Sequence, residues 1–112
     1  MKFNPRLKKE LEKFKDYIIL VEGKKDALSL GHFGFHRIYT IHQTSVGLRE
    51  RIDQICSQID KKDKVCILTD LDKQWKKFYF YIKTILQENG IKLDSSLRGL
   101  LIKSGLSHVE GI

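Results

Sequence analysis

The sequence predicts an α/β fold with a mainly parallel sheet of about four strands flanked by helices. Two observations carry this. The runs "YIILV" (17–21) and "VCIL" (65–68) are apolar without alternation, which marks strands covered on both faces, as in a parallel sheet. Between and after them, apolar residues recur at steps of three and four, the period of a helix packed on one side. Strands alternating with helices give parallel βαβ units with right-handed crossovers. Ligands of such sheets sit beyond the carboxyl ends of the strands.

Each element follows from local signals. Pro5 after Asn4 suits the first helical position and its cap, and Leu7, Leu11 and Phe14 form the apolar side of an N-terminal helix. "DYIILVEG" (16–23) is the first strand. A short helix over 24–30 ends at Gly31, and "HRIYTIH" supplies a second strand near 37–41. Ser45 is placed to cap the next helix, in which Leu48, Ile52, Ile55, Cys56 and Ile59 make one stripe. "KKDK" (61–64) turns the chain into the third strand, "VCILTDLD". A long helix then carries Trp75, Phe78, Tyr79, Ile82, Ile85 and Leu86 and stops at Asn89 and Gly90. Asp94, Ser95 or Ser96 caps a last helix with Leu97, Leu100 and Leu101, closed by Gly105. "LSHVEG" (106–111) is a candidate edge strand, the fourth.

At 112 residues the chain is one domain's worth: residues 1–16 form an N-terminal helix and 17–112 the core. Hydrophobic content of 41% with 31% charged residues is a globular mixture, and no apolar run approaches the ~20 residues that cross a bilayer, so no membrane partner is expected. The charged start "MKFNPRLKKELEKF" has no apolar segment of the secretory type. Cys56 and Cys66 lack metal or redox spacing and read as reduced, buried side chains of a cytoplasmic protein. The net charge of +7 favours a polyanionic partner such as RNA or DNA, although an acidic protein would give the same signal. The oligomeric state leaves no trace in the sequence.

The chemistry-bearing residues lie at strand ends. The first strand ends at Glu22 and the third at Asp70-Leu71-Asp72. Residues two apart in an extended chain share a face, so Asp70 and Asp72 can point together. If the two strands are neighbours, three carboxylates converge, a costly arrangement unless a cation neutralises it. Oxygen-only donors suit Mg²⁺, or Mn²⁺ in its place, and no Cys/His set with zinc spacing competes. Lys24 and Lys25 open the helix after Glu22, and Lys73, Lys76 and Lys77 follow the aspartates. These positions suit flanking phosphates.

"ILVEGKKDALSL" together with "VCILTDLDK" resembles the Toprim domain of primases, topoisomerases, OLD-type nucleases and the ribonuclease that matures 5S ribosomal RNA. The shared pattern is a strand ending in Glu-Gly with an acid four residues after the Glu, and a later strand ending in Asp-x-Asp. The resemblance covers nearly the whole chain and is greatest to small stand-alone Toprim proteins. It implies a Rossmann-like three-layer fold, with Glu22 as general acid/base or metal ligand and Asp70 and Asp72 holding Mg²⁺. Asp26 matches the acid four residues on and is expected to brace the helix. The chain departs from the family in having Trp75 where a glycine usually stands, and Lys76 and Lys77 where many topoisomerases carry a further acid.

The resemblance implies a Mg²⁺-dependent nucleic-acid-processing protein, with phosphodiester cleavage as the leading reading. A non-catalytic module that binds metal and nucleic acid within a larger complex is the alternative, and a free phosphorylated ligand is a third. The aromatic cluster of Trp75, Phe78, Tyr79, Phe80 and Tyr81 reads mainly as core, with Phe80 and Tyr81 the candidates for exposure. His32, His36, His42 and His108 form no ligand spacing and read as surface or turn residues. His42 is the nearest to a strand end.

Overall fold

The computed structural model describes residues 5–42, 45–69, 71 and 76–104. Asn4, Asp70, Asp72, Lys73, Trp75, Gly105, His108 and the candidate strand at 106–111 lie outside the described residues. The sheet is parallel, with β1 (Ile18–Val21) between β2 (Ile38–Thr40) and β3 (Val65–Ile67). Ile19 pairs with Ile38 on one side and with Cys66 on the other.

Period-two alternation sends successive β1 side chains into opposite cores. Ile18 and Leu20 join Val65 and Ile67 beneath Ile52 and Ile55 of α3 (Leu48–Ser57) and Ile82, Ile85 and Leu86 of α4 (Lys77–Glu88). Ile19 and Val21 join Cys66 and Leu68 beneath α1 (Pro5–Leu11), α2 (Lys24–His32) and α5 (Ser96–Lys103). The side chains that cover this second face are Leu7, Leu11, Leu30, Leu97 and Leu101. The result is the expected helix–sheet–helix sandwich. Each fully buried Leu or Ile in it contributes on the order of 1.5–3 kcal/mol.

The strand order places the site. From β1 the chain moves one way to β2 through α2, then crosses back past β1 to β3 through α3. Two crossovers of one hand that run in opposite directions must pass on opposite faces, and α2 and α3 do lie in opposite cores. The reversal falls between β1 and β3. In open α/β sheets the ligand crevice forms there, outside the carboxyl ends.

The described residues contain three strands rather than the four expected. After α4 the chain returns to the free edge of β3, where Leu93 makes a single parallel bridge to Val65 and the Asp94 amide donates to the Val65 carbonyl at 2.9 Å. The Asp94 carboxylate then accepts the Ser96 amide at 2.9 Å, turning the chain into α5 after one bridged residue. Other boundaries also differ from expectation. The α2 helix runs to His32, two residues past the predicted end, and the chain reverses at Gly34 with φ +90°. Gly47 rather than Ser45 caps α3, its carbonyl accepting the Arg51 amide at 2.9 Å. The end of α4 is as expected, with Asn89 donating to the Ile85 carbonyl at 2.8 Å and Gly90 in the left-handed region at φ +74°. No described helix is long and apolar enough to cross a membrane.

Arg37 fastens the amino edge of the sheet. It pairs with Asp63 ahead of β3 at 3.0 Å and donates to the Asp16 carbonyl ahead of β1 at 3.2 Å. The hydrogen bond from Arg37 holds the Asp63 carboxyl below its usual range. Hydrogen bonds from Ser96, with a further one from the Tyr17 hydroxyl at 3.1 Å, do the same for Asp94. A carboxyl whose folded-state pKa is depressed contributes stability above its ordinary pKa of about 3.9 and loses it as pH falls through the folded value. Asp63→Asn and Asp94→Asn are therefore expected to lower the urea midpoint at pH 6 and to lower it by less at pH 3. An equal deficit at both pH values would contradict this.

Cys56 and Cys66 are both free and buried. Cys66 is 1% exposed, and burial pushes its thiol up to about 12. It should resist a thiol reagent at pH 8 in the folded protein and react at once in urea. Rapid reaction of Cys66 without denaturant would place it outside the core.

Candidate metal centre at the carboxyl edge of the sheet

Glu22 is the first residue beyond β1. It is half-buried, and its carbonyl accepts the His42 amide from the end of β2 at 3.0 Å. Among the described residues its carboxylate has no hydrogen-bond or ion-pair partner. Gly23 is extended (φ −142°, ψ −177°) and caps α2, its carbonyl accepting the Ala27 amide at 3.2 Å. Asp26 accepts the Gly23 amide at 3.2 Å and so braces the first turn, as the sequence suggests. Lys24 and Lys25 stand exposed in that turn. Among the described residues a Cβ added at Gly23 would meet no atom within 4 Å, so these leave the backbone beside Glu22 open to close approach.

The β1–β3 ladder carries Glu22 toward the third strand. Leu20 pairs with Ile67, and the Leu68 amide donates to the Leu20 carbonyl at 2.9 Å. Continued two residues past Leu20 and Ile67, this register matches Glu22 with Thr69, and adjacent strands of a sheet lie about 4.8 Å apart. Thr69 is bonded directly to Asp70. The condition set by the sequence, that the first and third strands be neighbours, is met. The structure thus brings Glu22, Lys24 and Lys25 to the carboxyl edge, while Asp70, Asp72 and Lys73 lie outside the described residues. Among the described residues no group of three or more His, Cys, Asp or Glu side chains forms a metal cluster.

The end of β3 is fixed by a residue that sequence reasoning did not single out. Arg98, on α5, is 4% exposed. Its guanidinium donates to the carbonyls of Ile67, at 3.1 Å, and Thr69, and lies 4.1 Å from the centre of the Tyr79 ring. A guanidinium stays charged at any working pH, so burying it requires such partners. Tyr79 belongs to α4, on the other face of the sheet, so Arg98 links the two helical layers around the end of β3. The available signal was a charged residue between Leu97 and Leu101 on the apolar side of a short helix. Arg51 of α3 makes a similar contact, donating to the Thr40 carbonyl at the end of β2 at 2.9 Å.

The donor chemistry fits a hard cation. Thr69 is 2% exposed and its hydroxyl has no hydrogen-bond partner among the described residues. An orphaned buried oxygen after β3 and an unpartnered carboxylate after the neighbouring β1 are donors that suit Mg²⁺, whereas a soft metal would want thiolates or imidazoles. Of the remaining predicted residues, His32 and His36 are exposed, and Phe78 and Tyr79 pack against the core. Phe80 and Tyr81 are exposed, as expected.

A doubly covered parallel sheet that presents acid at its switch point defines a Rossmann-like α/β domain binding its ligands at the carboxyl edge. The sequence model of the Toprim domain matches residues 17–98, and the chain belongs to the Toprim domain family, a nucleic-acid-processing, metal-binding fold whose acidic residues generally hold Mg²⁺. A solved structure of a protein from Aquifex aeolicus is similar over 100% of both chains, with 27% identity and a TM-score of 0.78. No protein of curated function matches the chain.

Arg98→Met removes the donor from two buried carbonyls and should cost about 2–6 kcal/mol, at roughly 1–3 kcal/mol for each acceptor left unpaired. Arg98→Lys, which keeps the charge but not the fork, should recover only part of it. Urea denaturation measures both. A midpoint for Arg98→Met equal to that of the parent would show that the contact does not hold β3.

Proposed function

We propose that this Toprim protein, a single domain over 1–112, is a Mg²⁺-dependent nuclease that cleaves phosphodiester bonds of RNA or DNA. The observation that supports the reading best is the β1–β3 register, which, continued two residues past Leu20 and Ile67, matches Glu22 with Thr69, the residue before the Asp-x-Asp pair in sequence. In this reading Asp70 and Asp72 hold the metal, and Glu22 completes its coordination or accepts a proton from the attacking water. Lys24, Lys25 and Lys73 take the flanking phosphates. Mn²⁺ is expected to substitute for Mg²⁺, and a cytoplasmic location is consistent with two reduced, buried thiols.

The bound ion would supply charge neutralisation at the phosphate and a more acidic water. The side chains do the rest. Lys24 and Lys25, on the first turn of α2 where backbone amides point outward, hold the phosphate against the open face of Gly23. Water oxygen attacks phosphorus and its proton passes to the Glu22 carboxylate. The bond to the leaving sugar oxygen breaks, and that oxygen takes up a proton.

Two departures from the family support a second reading, a binding module without turnover. Trp75 stands where a glycine usually allows close approach, and Lys76 and Lys77 replace a further acid. Labelled single-stranded and structured RNA and DNA separate the two. The nuclease reading expects Mg²⁺-dependent degradation that falls by at least about 10²-fold in Glu22→Gln, the range lost with a positioned acid–base group. Salt-sensitive binding with degradation no greater than in that variant would favour the binding module.

Asp70→Asn should weaken Mg²⁺ binding in calorimetry yet spare or raise the melting temperature without metal, because it relieves carboxylate repulsion. A clear loss of metal-free stability would make Asp70 a structural residue.

A further inference from the structure

His42 is exposed, and its place is set by Glu22: the amide of one donates to the carbonyl of the other at 3.0 Å. Its imidazole lies parallel to the Phe78 ring, with centroids 5.6 Å apart and an interplanar angle of 8°. Phe78 is half-buried and packs against the core of Ile18, Leu20 and Ile52, so the lower ring of the stack is anchored. Exposed Lys77 precedes it at the start of α4. Tyr79 is covered by Arg98, and the exposed Phe80 ring meets Tyr79 edge-on, with centroids 5.4 Å apart, rather than the His42–Phe78 pair.

We infer that the His42–Phe78 stack is a platform for an unpaired base of the nucleic acid, which makes a single-stranded segment the form recognised beside Glu22. This rests on the proposed function and names its substrate class more closely. Every base has a π-face, so such a platform selects for unpaired bases without selecting sequence. In a duplex those faces are occupied by neighbouring pairs, and a base must be unstacked before it reaches a protein ring. An exposed imidazole parallel to a rooted phenyl ring and offset from it extends the flat surface that a base can cover. Lys77 lies within the same turn of α4 as Phe78 and suits the phosphate of the stacked nucleotide.

The test uses fluorescein-labelled single-stranded oligonucleotide and the duplex of the same sequence, with anisotropy read in the full chain carrying Glu22→Gln to prevent turnover. His42→Ala should weaken single-strand binding about tenfold, within the range of one base–aromatic stack, and duplex binding by less than about twofold. His42→Trp should restore the single-strand affinity, and Phe80→Ala should leave both affinities unchanged. Equal losses for strand and duplex, no loss at all, or failure of His42→Trp to restore binding would overturn the platform while leaving the proposed function standing. Absence of nucleic-acid binding before any change at His42 would overturn both. Circular dichroism and the urea midpoint of His42→Ala, expected to match the parent, keep a folding defect from being read as lost stacking.

Discussion

The pairing of β1 with β3 is the constraint from which the architecture and the candidate site both follow. Because β1 lies between the other two strands, its four residues are divided between two cores, Ile18 and Leu20 to one and Ile19 and Val21 to the other. A slip of one residue would exchange these sets and turn Glu22 to the opposite face. Register is therefore specified by packing on both sides of the strand, more firmly than in a sheet with one wet face. What the packing fixes at Leu20 and Ile67, the backbone transmits two residues further, to Glu22 and Thr69.

The carboxyl edge is fastened at every strand. The His42 amide holds the carbonyl of Glu22, Arg51 that of Thr40, and Arg98 those of Ile67 and Thr69. The two arginines come from helices on opposite faces, so each layer contributes to the edge on which ligands are expected. Hydrogen bonds from a charged donor are worth more than neutral ones, and buried ones are not easily exchanged for water. A metal or phosphate site on such an edge is carried by elements that cannot drift independently, the condition for holding ligands in a productive geometry. At the opposite edge Arg37 joins the approaches to β1 and β3, leaving the sheet restrained at both ends.

Much of this was legible in the sequence because burial on both faces leaves a strong mark. Consecutive Ile, Leu and Val with no alternation identify β1, and the same signal in "VCIL" identifies β3. Glu22 was legible because an acid after such a run stands at a ligand-binding edge, and the Asp26 brace because Asp26 matches the family's acid four residues after Glu22. Less legible were features decided by tertiary contact. Ser45 had the right chemistry for a cap, yet Gly47 has the extended backbone at the point where α3 begins. The fourth strand expected at 106–111 lies outside the described residues, and the sequence held no signal for the single bridge of Leu93 to Val65, which the Asp94–Ser96 turn ends. Arg98 escaped notice because a lone arginine in a short amphipathic helix ordinarily faces water. Its burial depends on carbonyls 29 and 31 residues away in the chain.

The central claim is that one divalent ion is shared between the end of β1 and the end of β3. A crystal of the protein soaked in Mn²⁺ tests it most directly, through the anomalous signal of the metal. The account predicts a single strong site in the crevice between the two strand ends, with Glu22 and at least one of Asp70 and Asp72 bound to the ion directly or through one water. A Mn²⁺ ion lodged elsewhere, or one held by the aspartates while the Glu22 carboxylate points away beyond the reach of a shared water, would contradict it.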